Sequence, residues 1–277
     1  KVIFEEMKLY KDNPHLHVHD MILENLYSGT LGRPIIGSEK TLGSVNRVDL
    51  VKKFNEVYAT DNLILCVVGD ADFNRICNFA EKNFSKTKSK VSKPKFGLLN
   101  KSGIEKRKGI DQVNLVLAHH VPSAQNKKHY AAQVLNTILA GGMSSRLFSE
   151  IREKRNLAYS VKGSCNCDKE FGYDSIYVGT TKENIKLVKE LILKEFKDVF
   201  KNLSEKELNE AKEQLIGNNK ISQEDSQSQM LELLYGEMFG DPNEVYKFEK
   251  NIKSVKLKDV RAIANLKKYS FFALVPE

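Results

Sequence analysis

A cation and a phenol follow a pair of glycines near the middle of the chain. Gly141 and Gly142 predict a tight turn, and the residues after them predict a helix that carries Arg146 and Arg152. Tyr159 then begins a β-prone stretch. This arrangement holds a guanidinium and a phenol just outside a backbone turn, where they could grip a polar chain such as a peptide. Arginines on helices are usually solvated and tyrosines on strands usually pack, so these structural explanations stay open at this point.

A second candidate is a carboxylate on an apolar helix face. On a helix the neighbours of Glu6 at three and four positions are Val2, Ile3, Leu9 and Tyr10, all apolar or aromatic. Glu6 is therefore expected on the face that meets the core. A buried carboxylate without a partner costs several kcal/mol, so it needs a donor, a counter-ion, a proton or a metal. The residues alone leave these alternatives open.

Three histidines alternate along the chain at His15, His17 and His19. On a strand they would share one face and resemble a metal site. They follow the sequence Asp-Asn-Pro at 12–14, however, which predicts the start of a helix. On a helix the three rings point in different directions, so a metal site is not favoured here.

The net charge of +8 invites a nucleic-acid interpretation, but its location argues against one. Residues 82–108 contain ten Lys and Arg residues and a single acid, Glu105, so this segment accounts for the whole excess. Its serines, glycines and proline are typical of a linker. Only Phe84 and Phe96 could stack on bases there. A solvated linker is favoured over a phosphate-binding arm, and no nucleic-acid partner is predicted.

The basic segment divides the chain into three parts along the sequence. We expect a first domain over residues 1–90, a linker over 91–104 and a second domain over 105–277. A short internal repeat predicts two halves of similar structure. Helices are expected to start at Ser44 and at Ser254, and each is followed by an apolar strand. Those strands are predicted at the positions 63–69 and 271–275.

Within the second domain, strands and helices alternate. A strand is predicted at 113–118, a helix at 129–139, and an antiparallel strand pair at 158–165 and 173–179. The predicted fold is α+β, with two similar α/β domains in which helices pack on one face of an antiparallel or mixed sheet.

Composition limits the compartment and the membrane topology. No apolar run approaches the roughly 18 residues that a bilayer span needs, and the first residues do not resemble a signal peptide. The four cysteines are too few for a disulfide framework in a chain of 277 residues. A reducing compartment is expected, and the cytoplasm is predicted.

The motifs taken together resemble the inverzincin metallopeptidases of the insulinase and pitrilysin type, in the branch that is like mitochondrial processing peptidase. The resemblance covers nearly the whole chain. Its motifs lie at 2–7, 31–37 (Leu-Gly-Arg-Pro-Ile-Ile-Gly), 58–63, 68–70, 139–148 (Leu-Ala-Gly-Gly-Met-Ser-Ser-Arg-Leu-Phe), 151–154 and 157–159 (Leu-Ala-Tyr).

The resemblance implies a zinc-dependent endopeptidase that cleaves extended peptides or presequence-like substrates. In this family a His-x-x-Glu-His helix supplies two zinc ligands and the general base, and a glutamate on a later helix is the third ligand. That glutamate matches Glu6. The family's substrate-gripping residues match Arg152, expected to hold the peptide backbone, and Tyr159, expected to hydrogen-bond the tetrahedral intermediate. Family members often act as homodimers or as heterodimers with a related subunit.

One departure from the family pattern bears on activity. No His-x-x-Glu-His occurs in these 277 residues. The motif is expected upstream of Lys1, so the chain is interpreted as a piece of a longer peptidase whose first domain is incomplete. By itself it should bind zinc poorly and hydrolyse nothing. The alternative function is a non-catalytic partner or structural subunit of the same fold, comparable to the core proteins of the respiratory bc1 complex.

Overall fold

The computed structural model describes residues 2–277, which form eleven α-helices and seven strands. The helices are α1 (Val2–Asp12), α2 (Pro14–Leu26), α3 (Glu39–Ser44), α4 (Arg47–Val57), α5 (Phe73–Asn83), α6 (His129–Ala140), α7 (Ile185–Asn202), α8 (Glu205–Ser222), α9 (Ser226–Phe239), α10 (Phe248–Ser254) and α11 (Leu257–Ala264). The strands are β1 (Tyr27–Gly29), β2 (Phe96–Leu98), β3 (Ser102–Arg107), β4 (Val113–His120), β5 (Ala158–Cys167), β6 (Gly172–Thr180) and β7 (Ser270–Pro276).

Five strands form a mixed sheet in the order β3-β7-β4-β6-β5. The pair β3 and β7 is parallel, and every other neighbouring pair is antiparallel. The central strand β4 is buried along almost its whole length, because both faces of the sheet are covered. The predicted α+β class and mixed sheet are confirmed, as are the strands predicted at 113–118 and 271–275 and the antiparallel pair.

The two faces of the sheet are covered by different parts of the sequence. Apolar residues of α6, α7 and α11 pack on one face. On the other face, α2 buries Val18, Ile22 and Leu26 completely against β4 and β7. Helices therefore cover both faces rather than the single face that was predicted. Burying three aliphatic side chains of this size is worth about 1.5–3 kcal/mol each, which makes α2 an integral part of this core.

The chain folds into two compact units, and each unit combines segments that are far apart in the sequence. The larger unit contains residues 2–35, 95–218 and 246–277, and the smaller unit contains residues 36–94 and 219–245. Residues 91–104, the expected linker, contain β2 and the start of β3. The division of the parent protein into residues 1–90, 91–104 and 105–277 stays a prediction.

Within the smaller unit, side chains cap the helix starts as their sequences require. Ser38 and Thr41 form a reciprocal cap on α3, Asn46 caps α4, and Asp72 caps α5. The strand predicted at 63–69 is wrong, since no strand lies there. A strand needs a neighbouring backbone to satisfy its amides, and no strand among residues 2–277 pairs with this segment. The apolar side chains of Leu63 and Leu65 are exposed as a result.

In the part of the chain that the structure describes, residues 2–277, no helix has both the length and the apolar character to cross a bilayer. The four cysteines are all free thiols.

An ionisable residue lies inside the sheet core. Asp174 on β6 is 1% exposed, and its Oδ1 accepts a hydrogen bond of 2.5 Å from Nδ2 of Asn136 on α6. Its Oδ2 has no hydrogen-bond partner among residues 2–277. Burial raises the pKa of Asp174 from 3.8 to about 8, because the low-dielectric core disfavours the charged carboxylate.

This raised pKa predicts the pH dependence of stability. The unfolded chain releases the Asp174 proton near pH 4, whereas the folded protein holds it up to about pH 8. The contribution of Asp174 to the free energy of unfolding is therefore fully present below pH 4 and is lost as the pH rises from there through about 8. We therefore expect Asp174→Asn to raise the free energy of unfolding by about 2 kcal/mol or more at pH 8.5 and to change it little at pH 4. Urea unfolding at both pH values measures this. Asp168→Asn makes the same charge change at an exposed turn position and should have little effect at either pH. Equal effects of the two substitutions would contradict the expectation.

Candidate functional site

Two glycines end α6 and start the segment that carries the candidate residues. A Cβ on Gly141 would lie 2.5 Å from the Thr137 Cα, which leaves no room for a side chain. Gly142 has a φ of 130°, a conformation that favours glycine. The Gln214 side chain on α8 donates a hydrogen bond of 2.6 Å to the Gly141 carbonyl oxygen. The predicted tight turn is therefore present, and α8 holds it in place.

Arg146, the first cation of the segment, is fully engaged in ion pairs. Its guanidinium donates two hydrogen bonds to Glu207, at 2.5 and 2.7 Å, and contacts Asp198 at 2.5 Å and Glu195 at 3.4 Å. The hydrogen bonds to Glu207 are the largest of the effects that raise the pKa of this guanidinium. Arg146 joins the segment to α7 and α8, so it is not available to hold a ligand.

The helix that carries the second cation is a single π-helical turn, Phe148–Glu153. Its wide spacing is visible in the hydrogen bond of 2.9 Å from the Lys154 amide to the Ser149 carbonyl oxygen. π-helical turns are rare and often lie at functional sites. Arg152 is exposed on this turn, with its guanidinium carbon 5.0 Å from the centre of the Phe148 ring. No carboxylate among residues 2–277 pairs with it; the neighbouring Glu150 binds Lys154 and Arg155 instead.

Tyr159 is the extra residue of a β-bulge. Ala158 pairs with Thr180 and Ser160 pairs with Gly179, so Tyr159 has no opposite residue. It is 79% exposed, and its hydroxyl makes no hydrogen bond within residues 2–277. The chain enters the bulge through Asn156, whose φ of 53° ends the helical segment.

The structure thus places Arg152 and Tyr159 on neighbouring elements of the larger unit, since the π-helical turn packs against β5. Both side chains are exposed hydrogen-bond donors without a protein acceptor in the described chain. A guanidinium and a phenol of this kind can bind carbonyl oxygens, and neither has an internal bond to give up first. The bulge and the π-helical turn were missed from the sequence. One signal was available: the buried Ala158 and Val161 are three residues apart, which breaks the period of two.

Glu6 lies on a different surface from the one expected. It is exposed, and α1 buries none of its residues. Val2 and Leu9, its apolar neighbours, are 73% and 68% exposed. The expectation that this face meets the core is wrong, because α1 packs against α2 and not into the apolar layers of the sheet. The role of Glu6 as a metal ligand stays a prediction.

The described residues do not assemble a zinc site by themselves. Among residues 2–277 no three side chains of His, Cys, Asp and Glu are arranged to hold a metal ion. The helix predicted for the three histidines is confirmed, but their rings do not all point in different directions, because His15 and His19 are four residues apart and their ring centres lie 4.7 Å apart, both near Tyr177. His17 points elsewhere, and its Nε2 lies 2.7 Å from Glu105. One exposed carboxylate is a single ligand and does not satisfy zinc, which takes about four.

Comparison with known proteins identifies the family. Residues 44–215 match the family described as Peptidase M16 inactive domain, so the chain belongs to the peptidase M16 family. The chain is 32% identical over 236 residues to the uncharacterized zinc protease YmxG of Bacillus subtilis, covering 83% of this chain and 57% of that protein. It is 28% identical over 275 residues to an uncharacterized zinc protease of Streptomyces coelicolor, covering 95% of this chain and 60% of that protein.

Solved structures share the fold. A protease from Helicobacter pylori has a TM-score of 0.90 at 17% identity, over 99% of this chain and 70% of that one. A peptidase M16 inactive domain from Pseudomonas fluorescens has a TM-score of 0.84 at 23% identity, over 99% and 69%. A chain of complex III2 from Candida albicans has a TM-score of 0.90 at 15% identity, over 99% and 70%. The present chain spans about 57–60% of the length of the two zinc proteases named above.

The ion pairs of Arg146 are expected to stabilise the folded protein. Arg146→Ala leaves Glu195 buried without its counter-ion and Glu207 and Asp198 beside it without theirs. We expect a loss of about 3 kcal/mol in the free energy of unfolding, measured by urea denaturation. The matched control Lys154→Ala removes an exposed pair with Glu150 and should cost at most about 0.5 kcal/mol. Losses of similar size in the two variants would contradict a structural role for Arg146.

Proposed function

We propose that this chain forms the substrate-binding part of a zinc endopeptidase that acts on extended or presequence-like peptides. The observation that carries the proposal is the pair of unsatisfied donors, Arg152 on the π-helical turn and Tyr159 on the bulge. In this proposal Arg152 holds a carbonyl oxygen of the peptide backbone. Tyr159 hydrogen-bonds the oxygen of the carbonyl under attack, where negative charge develops in the transition state.

The position of β5 supports an extended substrate. β5 is the last strand of the sheet, so one side of its backbone has no neighbouring strand among residues 2–277. An extended peptide can add to such an edge by main-chain hydrogen bonds. The bulge at Tyr159 interrupts this edge near the start of β5 and turns the phenol outward. A peptide paired along β5 would therefore run towards Tyr159.

Relatives named zinc proteases support zinc as the metal of the whole protein. Because the described residues do not complete a zinc site, we assign only one ligand here, the exposed carboxylate of Glu6. The remaining ligands and the general base are assigned to sequence outside these residues. The metal supplies the activation of the attacking water when it is bound, and the residues of this chain bind and orient the peptide.

Two findings favour a second function. The matched family description is that of an inactive domain, and the complex III2 chain shares the fold. A non-catalytic partner or structural subunit of the same fold would have both properties, acting as a homodimer or as a heterodimer with a related subunit. Such a subunit has no need of Glu6, Arg152 and Tyr159 together, so we place it second.

The first prediction from this proposal concerns peptide binding. A labelled, unstructured peptide should bind the 277-residue chain, as measured by fluorescence anisotropy. Arg152→Ala should weaken binding by about tenfold and Tyr159→Phe by several-fold, because each removes a hydrogen bond worth about 1–2 kcal/mol. Both variants should unfold at the wild-type temperature, since both side chains are exposed.

Two controls match these variants in chemistry. Arg155→Ala removes a neighbouring arginine that is already paired with Glu150, and Tyr246→Phe removes the hydroxyl of another exposed tyrosine. Both should leave the peptide affinity unchanged. A wild-type chain that binds no peptide, or controls that lose as much affinity as the test variants, would rule out this site.

The second prediction concerns zinc and hydrolysis. After removal of metals, a preparation verified to contain only residues 1–277 should take up well below one equivalent of Zn²⁺ and should leave a peptide substrate uncut. Glu6→Gln should change neither measurement, because a single carboxylate does not hold zinc. Equimolar zinc that Glu6→Gln abolishes, or any hydrolysis by this preparation, would show that the chain contains a complete metal centre.

A further inference from the structure

A groove of about 440 Å³ lies in the larger unit, between the second half of α7 and the residues that follow α11. Its apolar lining comes from Leu193, Phe196 and Phe200 on α7 and from Leu266 and Tyr269 beyond α11. The three residues of α7 share one face of the helix, because they are spaced by three and four positions. Small-molecule sites have volumes of about 300–1,000 Å³ and are mainly apolar. The groove therefore has the size and the lining of a site for a small apolar ligand.

Two lysines of α7, Lys197 and Lys201, also line this groove and lie one helical turn apart. Like charges at this spacing on a helix repel each other. The residue three positions before Lys197 is a third lysine, Lys194. Lys197 and Lys201 are exposed, and neither forms an ion pair with another of the residues 2–277. An anion from outside the chain would relieve this repulsion.

The nearby acids of α7 do not neutralise these lysines. Glu195 and Asp198 both contact the guanidinium of Arg146. Lys201 lies in the last turn of α7, where the helix dipole favours a cation. Lys197 lies one turn earlier, so the dipole does not explain its position. The positive charge on this side of the groove is therefore left without a counter-ion in the described part of the chain.

One aromatic side chain of the lining is already held in place. The Lys189 ammonium lies 5.4 Å from the centre of the Tyr269 ring and 4.6 Å from the centre of the Phe271 ring. Phe271 is buried in the core of the larger unit. Tyr269 is thereby tied to an ordered part of the structure. A ligand that packs against this ring loses less conformational entropy on binding than one that must first order it.

We propose that this groove binds the anion of a free long-chain carboxylic acid. The carboxylate lies between Lys197 and Lys201, and each ammonium donates a hydrogen bond to it. The alkyl chain lies on the apolar lining and covers Phe200, which is 39% exposed. Binding is non-covalent. The two parts of the site match the two parts of such a ligand, a single negative charge and an apolar chain.

Other anions fit the groove less well. Inorganic phosphate and nucleic-acid backbones are polar along their whole surface, so they gain nothing from the apolar lining. A lipid bilayer presents a broad surface, which cannot enter a groove between two elements of the fold. A single alkyl chain can enter it. The combination of an apolar groove and two cations therefore favours a free carboxylate over an anionic membrane surface.

Isothermal titration calorimetry of the 277-residue chain with decanoate and dodecanoate, each below its micelle-forming concentration, tests the proposal. We expect one site per chain. Dodecanoate should bind about 15-fold more tightly than decanoate, because each buried CH₂ group raises the affinity about fourfold. Lys197→Gln and Lys201→Gln should each weaken dodecanoate binding by at least about tenfold. Lys127→Gln removes an exposed lysine outside the groove and should bind as the wild type does.

A ligand series on the wild type makes the test independent of any variant. Dodecyltrimethylammonium has the same alkyl chain with the opposite charge and should not bind. Sedimentation with phosphatidylserine vesicles separates a free carboxylate from a lipid surface. The proposal is overturned if dodecanoate does not bind, if the cationic ligand binds as tightly, if both lysine variants keep the wild-type affinity, or if the chain binds the vesicles but not dodecanoate. None of these results depends on peptide binding at Arg152 and Tyr159.

Discussion

The close approach of α6 to β5 at Gly163 is the constraint that fixes how β5, the strand that carries Tyr159, lies against the core. A Cβ on Gly163 would lie 2.7 Å from the Asn136 side chain and 2.8 Å from the Ala140 Cβ, so only glycine lets the helix lie this near. That contact fixes which residues of β5 face α6. Val161 and Cys165 share the face of Gly163, and the residues between them face away. The packing of α6 at Gly163 therefore determines which residues along β5 face the core.

The β-bulge acts on this fixed register. In an uninterrupted strand Tyr159 would lie on the same face as Val161 and Gly163, and its ring would point towards α6 and into the core. The extra residue shifts the alternation by one, so Ala158 is buried and Tyr159 is exposed. The bulge therefore replaces a large aromatic with a small alanine under the helix and turns the phenol outward. Its cost is one residue that lies outside the strand ladder.

Local patterns predicted the elements whose partners lie within the described chain. β4 and β7 have the apolar runs of buried strands, and α6 has the apolar residues of a buried helix. The same reasoning failed at 63–69 and on α1, where apolar residues are exposed. Amphipathicity shows that a surface is suited to burial, but whether a covering element is present is a property of the tertiary structure. The π-helical turn was out of reach for a related reason, since its extra residue changes no side-chain type.

The different environments of Arg146 and Arg152 show why the substrate-binding cation could not be chosen from the sequence alone. They lie six residues apart in one motif with the same charge. The carboxylates that distinguish them come from elsewhere: α7 and α8 surround Arg146 with three acids, and Glu150 takes the two cations beyond Arg152. Arg152 is left with its guanidinium over the Phe148 ring, a contact that leaves its N–H donors free of any carboxylate among residues 2–277. A peptide carbonyl that binds Arg152 displaces only water, whereas one that binds Arg146 would have to displace a bidentate carboxylate.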